Sequence, residues 1–448
     1  MIRRRPARTA AWAALAATLA MAGCAPRATD TPSATPDLTA VAEAQVPMPE
    51  LVEHAPRGAV PPPGWEGREW RDVLEAARGQ TVSWHLWGGD ERLNAWVANY
   101  VADVALNRYG IALEVVPLAD TAEAVAKLLG ERAAGVDEGG SIDLVWLNGE
   151  NFRTLREADL LYGPWTGFLP STVNLDLAAP ALATDLGTPV DGYELPWGRA
   201  QLVLVYDSTR VAAPPRSIGQ LLDHARANPG TFTYPAPPDF TGSAFVRLAC
   251  RELAGRPDID ALLAAPVTDQ ALAFVGPPCW ASLAAAAPAL WRGGATYPAT
   301  VTQLDDLYAD GEVWFTLSYS PASADRQVAA GRFGEGTRTA VFEGGTWSNT
   351  HFLAIPSTAS QPAAAMVLAN FLLSPEAQYA KADPANWGDT TVLDLARIPE
   401  TWRQAFEGLE PGPASLPPSV LAEAALQEPH ATWIDPLEAG WLDAVLER

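Results

Sequence analysis

The sequence predicts an α/β fold built on a largely parallel sheet. Short apolar runs alternate with amphipathic stretches, several runs are apolar without any polar alternation, and turns rich in Gly, Asn and Pro separate them. A continuous apolar run suits a strand covered by helices on both faces. Strands are expected at 81–87, 111–118, 142–148, 201–207, 231–234, 313–319 and 351–355. After the first, Leu93, Val97, Tyr100, Val101 and Val104 recur at helical spacing, with Asp90 at the N-cap and Glu91 in the first turn. A second helix is expected over 121–132 and a third after Gly149. No internal repeat of fixed period is present.

At 448 residues, 48% hydrophobic and 19% charged, the chain is long enough for a large core and for two lobes or domains. A formal charge of -23 argues against nucleic acid as a partner, because nothing basic displaces counterions from phosphates. The acidic excess is either an attraction for a cationic ligand or a solvated acidic surface. Lysine occurs only as Lys127 and Lys381, which reflects composition rather than mechanism.

Residues 1–23 read as an export signal: Arg3, Arg4 and Arg5 precede an apolar run over 10–22 that ends in Met21-Ala22-Gly23. Cys24 directly after Ala22-Gly23 resembles a bacterial lipobox, which implies lipidation of Cys24; ordinary cleavage to a soluble protein is the alternative. Residues 24–66, rich in Pro, Ala and Thr, read as a tether. No later stretch is expected to be long and apolar enough for a second anchor, the alanine-rich run at 281–290 being too short. Cys250 and Cys279 are the remaining cysteines, either a disulfide or two separate buried thiols.

In α/β sheets ligands gather beyond the carboxyl ends of the strands. Three loops expected there begin helices: Trp87, Gly88, Gly89 and Asp90; Asn148, Gly149, Glu150 and Asn151; and the stretch from Tyr234 to Thr241, Gly242 and Ser243. Glycine admits a close ligand, and helix N-termini favour anionic groups by roughly 0.3–2 kcal/mol each. Ordinary capping chemistry would look the same. Trp87, Trp146, Trp197, Trp347 and Trp387 all stand beside turns, among 17 tryptophans. A buried Trp removes about 150–250 Å² from water, roughly 4–6 kcal/mol gross, so one or two facing a ligand would supply much of a micromolar affinity. Core packing is the competing role for each.

Catalytic constellations are missing. There is no Gly-x-Ser-x-Gly, His-Glu-x-x-His or Walker loop, and His54, His85, His224, His351 and His430 have no pair at metal-ligand spacing. Asp305 and Asp306 are adjacent carboxylates of the kind that usually form a solvated face.

"EVWFTLSYSPASADRQVAAGRF" and "GGTWSNTHFLAIPSTASQPAAAMVLANFLLSPEAQ" resemble the extracytoplasmic solute-binding proteins of ABC importers. The joint set of "WGGD", "GTWSNTHFLAIP", "SPEAQ", "KADPANWGD" and "EPHATW" is similar to the YnjB-type branch of that superfamily, from about Thr81 to the C-terminus. The resemblance implies a two-lobed type II periplasmic-binding-protein fold with a hinge. Lobe one would hold 67–195 and 346–448 and lobe two 196–345, with crossings near 196–200 and 341–346. It further implies the substrate-binding component of an ABC-type import system. A small polar solute would be captured between the lobes and delivered to a permease and its ATPase, by a monomer without metal, cofactor or turnover. A secreted enzyme or ligand sensor on the same fold, acting on a sugar or phosphoester, is the alternative. The expected ligand residues are Trp87, Gly88, Gly89, Asn148, Gly149, Glu150, Trp197, Arg199, Tyr234, Thr241, Ser243, Tyr319, Trp347 and Asn349. Arg199 is the basic group set against an anion or a structural carboxylate, and the expected solute carries a ring or a phosphate. Ferric binders of the superfamily use adjacent tyrosines, whereas Tyr319 stands alone in "LSYSP", which puts iron in doubt.

Overall fold

The computed structural model describes residues 54–447; the export signal, Cys24 and most of the tether lie outside the described residues. The strands among them are β1 (Thr81–Trp87), β2 (Ala112–Leu118), β3 (Leu144–Leu147), β4 (Thr184–Asp185), β5 (Thr188–Pro189), β6 (Glu194–Gln201), β7 (Val203–Asp207), β8 (Phe315–Ser318), β9 (Thr337–Ala340), β10 (Thr346–Ala354) and β11 (Ala425–Gln427). β1 is flanked by β2 and β3, both parallel to it, and burial of Val82, Trp84 and Leu86 on one face and of His85 on the other shows that both faces are covered. β10 joins this sheet antiparallel to β3 and to β6, and β11 pairs with its first residues. β7, β8 and β9 form a separate three-stranded sheet with β7 in the middle. β4 and β5 make a small hairpin.

The chain passes from the six-stranded to the three-stranded sheet between Gln201 and Val203, and back between Ala340 and Thr346. The stretch near 196–200, expected as a crossing, is strand β6, held by its pairing with β10. The stretch at 231–234, expected as a strand, joins no ladder. Pro235, Pro237 and Pro238 supply no N–H just beyond it, and its carbonyls meet single donors from Trp291 and Trp314. β6 was not anticipated as a strand of the large sheet, because Pro196 and Gly198 interrupt its apolar pattern.

Each sheet has its own core. Trp70, Trp84, Trp96, Trp165, Trp197 and the apolar helix Pro362–Leu372 bury against the large sheet. Val203, Val205, Tyr234, Phe245, Leu283 and Phe315 bury against the small one. Trp433, Leu437, Trp441 and Val445, near the C-terminus, pack in this second core although β11 belongs to the first sheet. Cys250 and Cys279 are joined as a disulfide between helices Phe240–Leu253 and Asp269–Ala286. The stretch Asp269–Ala289 is long and apolar enough to cross a membrane by length and composition, contrary to the sequence expectation. Its buried Val275, Cys279, Leu283 and Ala284 belong to the second core, which is reason enough for its apolar character.

The "SPEAQ" motif is structural. Ser374 caps the helix Pro375–Ala382 by accepting from the Ala377 amide, and Pro375 sits in the first turn where no N–H is needed. Glu376 takes two hydrogen bonds from Arg108, at 2.6 and 2.8 Å. Gln378 donates to the carbonyls of Trp197 and Leu372, tying the motif to β6.

Candidate functional site

The loops after β1, β2 and β3 lie at the carboxyl ends of three parallel strands and face groups carried by the second core. Asp90, after β1, forms an ion pair of 2.6 Å with Arg326 of helix Ser323–Ala329. Asp120, after β2, acts electrostatically on Asp239, the N-cap of helix Phe240–Leu253. Glu150, after β3, feels the charges of Arg247 and Glu438. Two lobes therefore meet here, and three successive strand ends address the same opposing surface.

At the centre of that surface is a buried polar network. Arg247, 2% exposed, pairs with the equally buried Glu428 at 3.1 Å and donates to the Ser243 hydroxyl at 2.6 Å. Tyr319 donates its hydroxyl to Glu428, and Asn349 donates to the same oxygen at 3.3 Å. Burial, reinforced by the Glu428 charge, pushes the Tyr319 phenol well above its ordinary value, so Tyr319 stays a neutral donor. Ser243, Tyr319 and Asn349 from the expected set are thus brought together through Arg247 and Glu428, neither of which was singled out from sequence. A lone Arg247 inside the apolar stretch "SAFVRLAC" was the available signal.

The glycines play another part than expected. The Gly88 amide donates to the Leu118 carbonyl at 2.8 Å, and a Cβ there would lie 2.4 Å from Cβ of Pro117. A Cβ on Gly89 would lie 2.2 Å from Cζ2 of Trp87. Gly149, at φ 63°, donates its amide to the buried Asp185. Close packing demands the first two, a left-handed backbone the third, and the amides of Gly88 and Gly149 are already taken. Other helix starts are filled as well. Asp90 accepts from the Arg92 and Leu93 amides, Asp120 from Ala122, and Asp239 from Gly242 and Val301. At the loop after β1 and at the start of helix Phe240–Leu253 the expected anion seat is therefore occupied by the protein's own carboxylates, whereas helix Glu150–Glu157 starts without a side-chain cap.

Trp87 is half-buried beside Trp146, and Asn148 and Glu150 are partly exposed at the end of β3. Thr241 is buried in the first turn of its helix. Trp197, Tyr234 and Trp347 are corrections to the expected site, because all three are fully buried in the two cores. Trp197 is packed by Trp84, Trp146 and Trp387 and lies beneath the Lys381 ammonium. Tyr234 accepts a hydrogen bond from Trp441, and Trp347 donates to the Ala244 carbonyl. Lys381, Asp389 and His351 form a buried polar cluster beside these rings. Burial drives the His351 imidazole below its ordinary value, overriding the Asp389 contact. Arg199 shares the sheet face of its cross-strand neighbour Thr350, opposite to that of Asn349. Its Nε is buried without a partner and burial alone pulls its pKa down, so the carboxylate partner allowed for it from sequence is not there.

Carboxylates beneath the β3 loop are the least compensated groups of the region. Glu194 is fully buried with neither oxygen hydrogen-bonded, and Asp185 keeps one oxygen unpartnered beside the Gly149 amide. Burial raises both well above the usual carboxylate range. Among the described residues no group of three or more His, Cys, Asp or Glu side chains could hold a metal ion. A cavity of about 320 Å³ lies elsewhere, lined by Trp70, Arg108, Tyr109, Phe371 and Trp402 on the large-sheet side, and shares no residue with this site.

A family model described as bacterial extracellular solute-binding protein matches residues 96–405, a span that includes Glu150, Arg247, Tyr319 and Asn349. The chain belongs to this family. Protein YnjB of Escherichia coli (strain K12) is 42% identical over 374 residues, covering 84% of this chain and 93% of YnjB. Among solved structures, the spermidine/putrescine ABC transporter substrate-binding protein PotD of Streptococcus pneumoniae superposes with a TM-score of 0.57 at 13% identity, over 81% of this chain and 98% of that one. The periplasmic binding protein AfuA of Actinobacillus pleuropneumoniae, with fructose-6-phosphate bound, gives 0.55 at 13% identity over 82% and 98%. These likenesses establish the two-lobed periplasmic-binding-protein fold. With the family, they make the chain an extracytoplasmic substrate-binding component of an ABC-type import system, serving a permease with a small-molecule solute.

Proposed function

We propose that the solute is held between the strand-end loops carrying Trp87, Asn148 and Glu150 and the opposing face built by Thr241, Ser243, Arg247 and Tyr319. The observation that carries this reading is that three successive strand ends converge on one opposing surface, with the Asp90–Arg326 pair already joining the two sides at 2.6 Å. Lobe one takes 67–201 with β10; lobe two takes 203–340 and, because Trp433 and Trp441 pack there, the C-terminal helix Ile434–Trp441. The hinge lies at 201–203 and 341–346. The protein acts as a monomer and binds without turnover, a reading supported by its relatives being transport proteins. Cys24 carries the lipid anchor, and residues 24–66 hold the lobes away from the membrane.

The test is a titration of the mature protein with candidate solutes, followed by tryptophan emission and small-angle scattering. Binding in this cleft alters the emission of Trp87 and lowers the radius of gyration, and Trp87→Phe removes most of the emission change. A solute that binds with unchanged affinity after Glu150→Ala, Trp87→Ala and Ser243→Ala would place the site elsewhere.

A further inference from the structure

We propose that the cavity beside helix Pro362–Leu372, apart from the solute cleft, is a second small-molecule site, and that its ligand is an uncharged aromatic carboxamide of one or two rings. The cavity measures about 320 Å³, at the lower end of the roughly 300–1,000 Å³ found for small-molecule pockets. Its walls carry the rings of Trp70, Tyr109, Phe371 and Trp402. Each ring is held by another: Trp70 edge-on to Phe168, Tyr109 against Phe371, and Trp402 against Tyr379. The flat faces are therefore set before a ligand arrives. His54, Val173 and Pro399 are exposed and form the rim through which it would enter.

Polar groups stand among these rings without partners in the protein. Asn174 is 9% exposed, yet neither atom of its side-chain amide hydrogen-bonds to a protein group, and neither is sealed off by protein. Trp402 is 7% exposed, and its indole Nε1 is in the same condition. Asn370 is oriented by Ser171: its Oδ1 accepts from the Ser171 amide at 2.8 Å, and the Ser171 hydroxyl donates to its carbonyl at 2.9 Å. Asn370 Nδ2 is thereby left as a donor. Groups withdrawn from water without partners are unfavourable until matching ones arrive. Two N–H donors and an amide that both donates and accepts match a carboxamide, whose carbonyl accepts and whose NH2 donates. The ligand's charge follows from the same walls. Arg108 is already engaged by Glu376 at 2.6 and 2.8 Å and lies 5.7 Å over the Phe371 ring, so a ligand carboxylate would have to compete with Glu376. Among the described residues no carboxylate lines the cavity to receive a cation.

The experiment is calorimetric titration of the full mature protein with benzamide, nicotinamide and indole-3-carboxamide. Benzoate is the charged control, and cyclohexanecarboxamide the control without an aromatic face. At least one aromatic carboxamide is expected to bind saturably and more tightly than either control. Its Kd should rise at least about fivefold in Asn174→Leu and in Trp402→Phe, and stay within about twofold in Ser243→Ala, which alters the proposed cleft alone. The Asn174 side chain bonds to no protein group, so Asn174→Leu is expected to fold, and circular dichroism with the thermal midpoint checks this for both variants. The proposal is overturned if no aromatic carboxamide binds, which leaves a cavity for water only, or if either control binds as tightly. It is equally overturned if Asn174→Leu or Trp402→Phe keeps the wild-type affinity. A Kd that rises in Ser243→Ala would move the ligand to the cleft, and binding that appears only after removal of residues 24–53 would make the tether the occupant; each of these also overturns it.

Discussion

Removing Arg247 tests whether the network at the lobe junction is held by charge pairing or merely by packing. Arg247 and Glu428 are each 2% exposed and 3.1 Å apart, and Glu428 also accepts from Tyr319 and Asn349. Arg247→Met keeps an unbranched side chain of similar volume, so the cavity contribution is small. It leaves the Glu428 carboxylate with two neutral donors and no counter-charge. Truncating one partner of a buried pair typically costs about 3–5 kcal/mol, and losing the Ser243 hydrogen bond adds about 1 kcal/mol. Glu428→Gln in the same chain removes the uncompensated charge while retaining a group that accepts from Tyr319. The double variant should therefore recover at least about 2 kcal/mol of the loss. Urea unfolding of wild type, both single variants and the double variant at pH 7, followed by circular dichroism, closes the cycle. A cost below about 1 kcal/mol for Arg247→Met, or additive losses in the double variant, would refute the electrostatic account.

Arg326→Ala severs contacts to Asp90, Ser320 and the Trp387 carbonyl, and small-angle scattering of the ligand-free protein should then report a larger radius. Gly89→Ala drives a methyl into Trp87, so a shifted tryptophan emission and a loss of about 1–3 kcal/mol in urea unfolding are expected. Burial pushes Asp305 up to about 7 despite the hydrogen bond from Thr316. The folded state thus holds a proton that the unfolded chain releases near 4, and stability falls as pH rises from about 4 through 7, by up to about 4 kcal/mol. Asp305→Asn should accordingly raise the calorimetric midpoint at pH 8 and leave it nearly unchanged at pH 4. The disulfide closes a loop with a sequence separation of 29, so Cys250→Ser with Cys279→Ser should cost about 3–4 kcal/mol in chemical denaturation.

The framework was legible because its chemistry is local. The run over 81–87 alternates apolar Val82, Trp84 and Leu86 with other residues, Asp90 caps the helix that follows it, and the next strand and helix repeat the pattern within a few tens of residues. The loops of the site were found for the same reason, as the carboxyl ends of strands. Their long-range partners were not, because no periodicity encodes a contact between segments far apart in the chain. Gly149 donates to Asp185, 36 residues on, and Arg247 meets Glu428 across 181 residues. Nor does a turn beside a tryptophan say whether the ring faces solvent. Trp87 and Trp197 stand in similar sequence settings, yet only Trp197 is enclosed by three other indoles.

The charge of the chain is where sequence and structure bear most directly on function. A net charge of -23 leaves open whether the excess is a solvated surface or an attraction for a cationic ligand, because composition carries no position. Position separates the two. A solvated carboxylate such as Glu423 needs no counter-charge, and its neutralisation should alter little. Asp185 and Glu194 have been taken out of water and left with unpartnered oxygens, which the fold tolerates only against an opposing gain. The Gly149 amide holds Asp185 under the β3 loop, and the next residue, Glu150, stays partly exposed. Asp185→Asn and Glu194→Gln should therefore stabilise the ligand-free protein at neutral pH, read as a raised midpoint in urea unfolding at pH 7, and unchanged or lower midpoints would refute the reasoning.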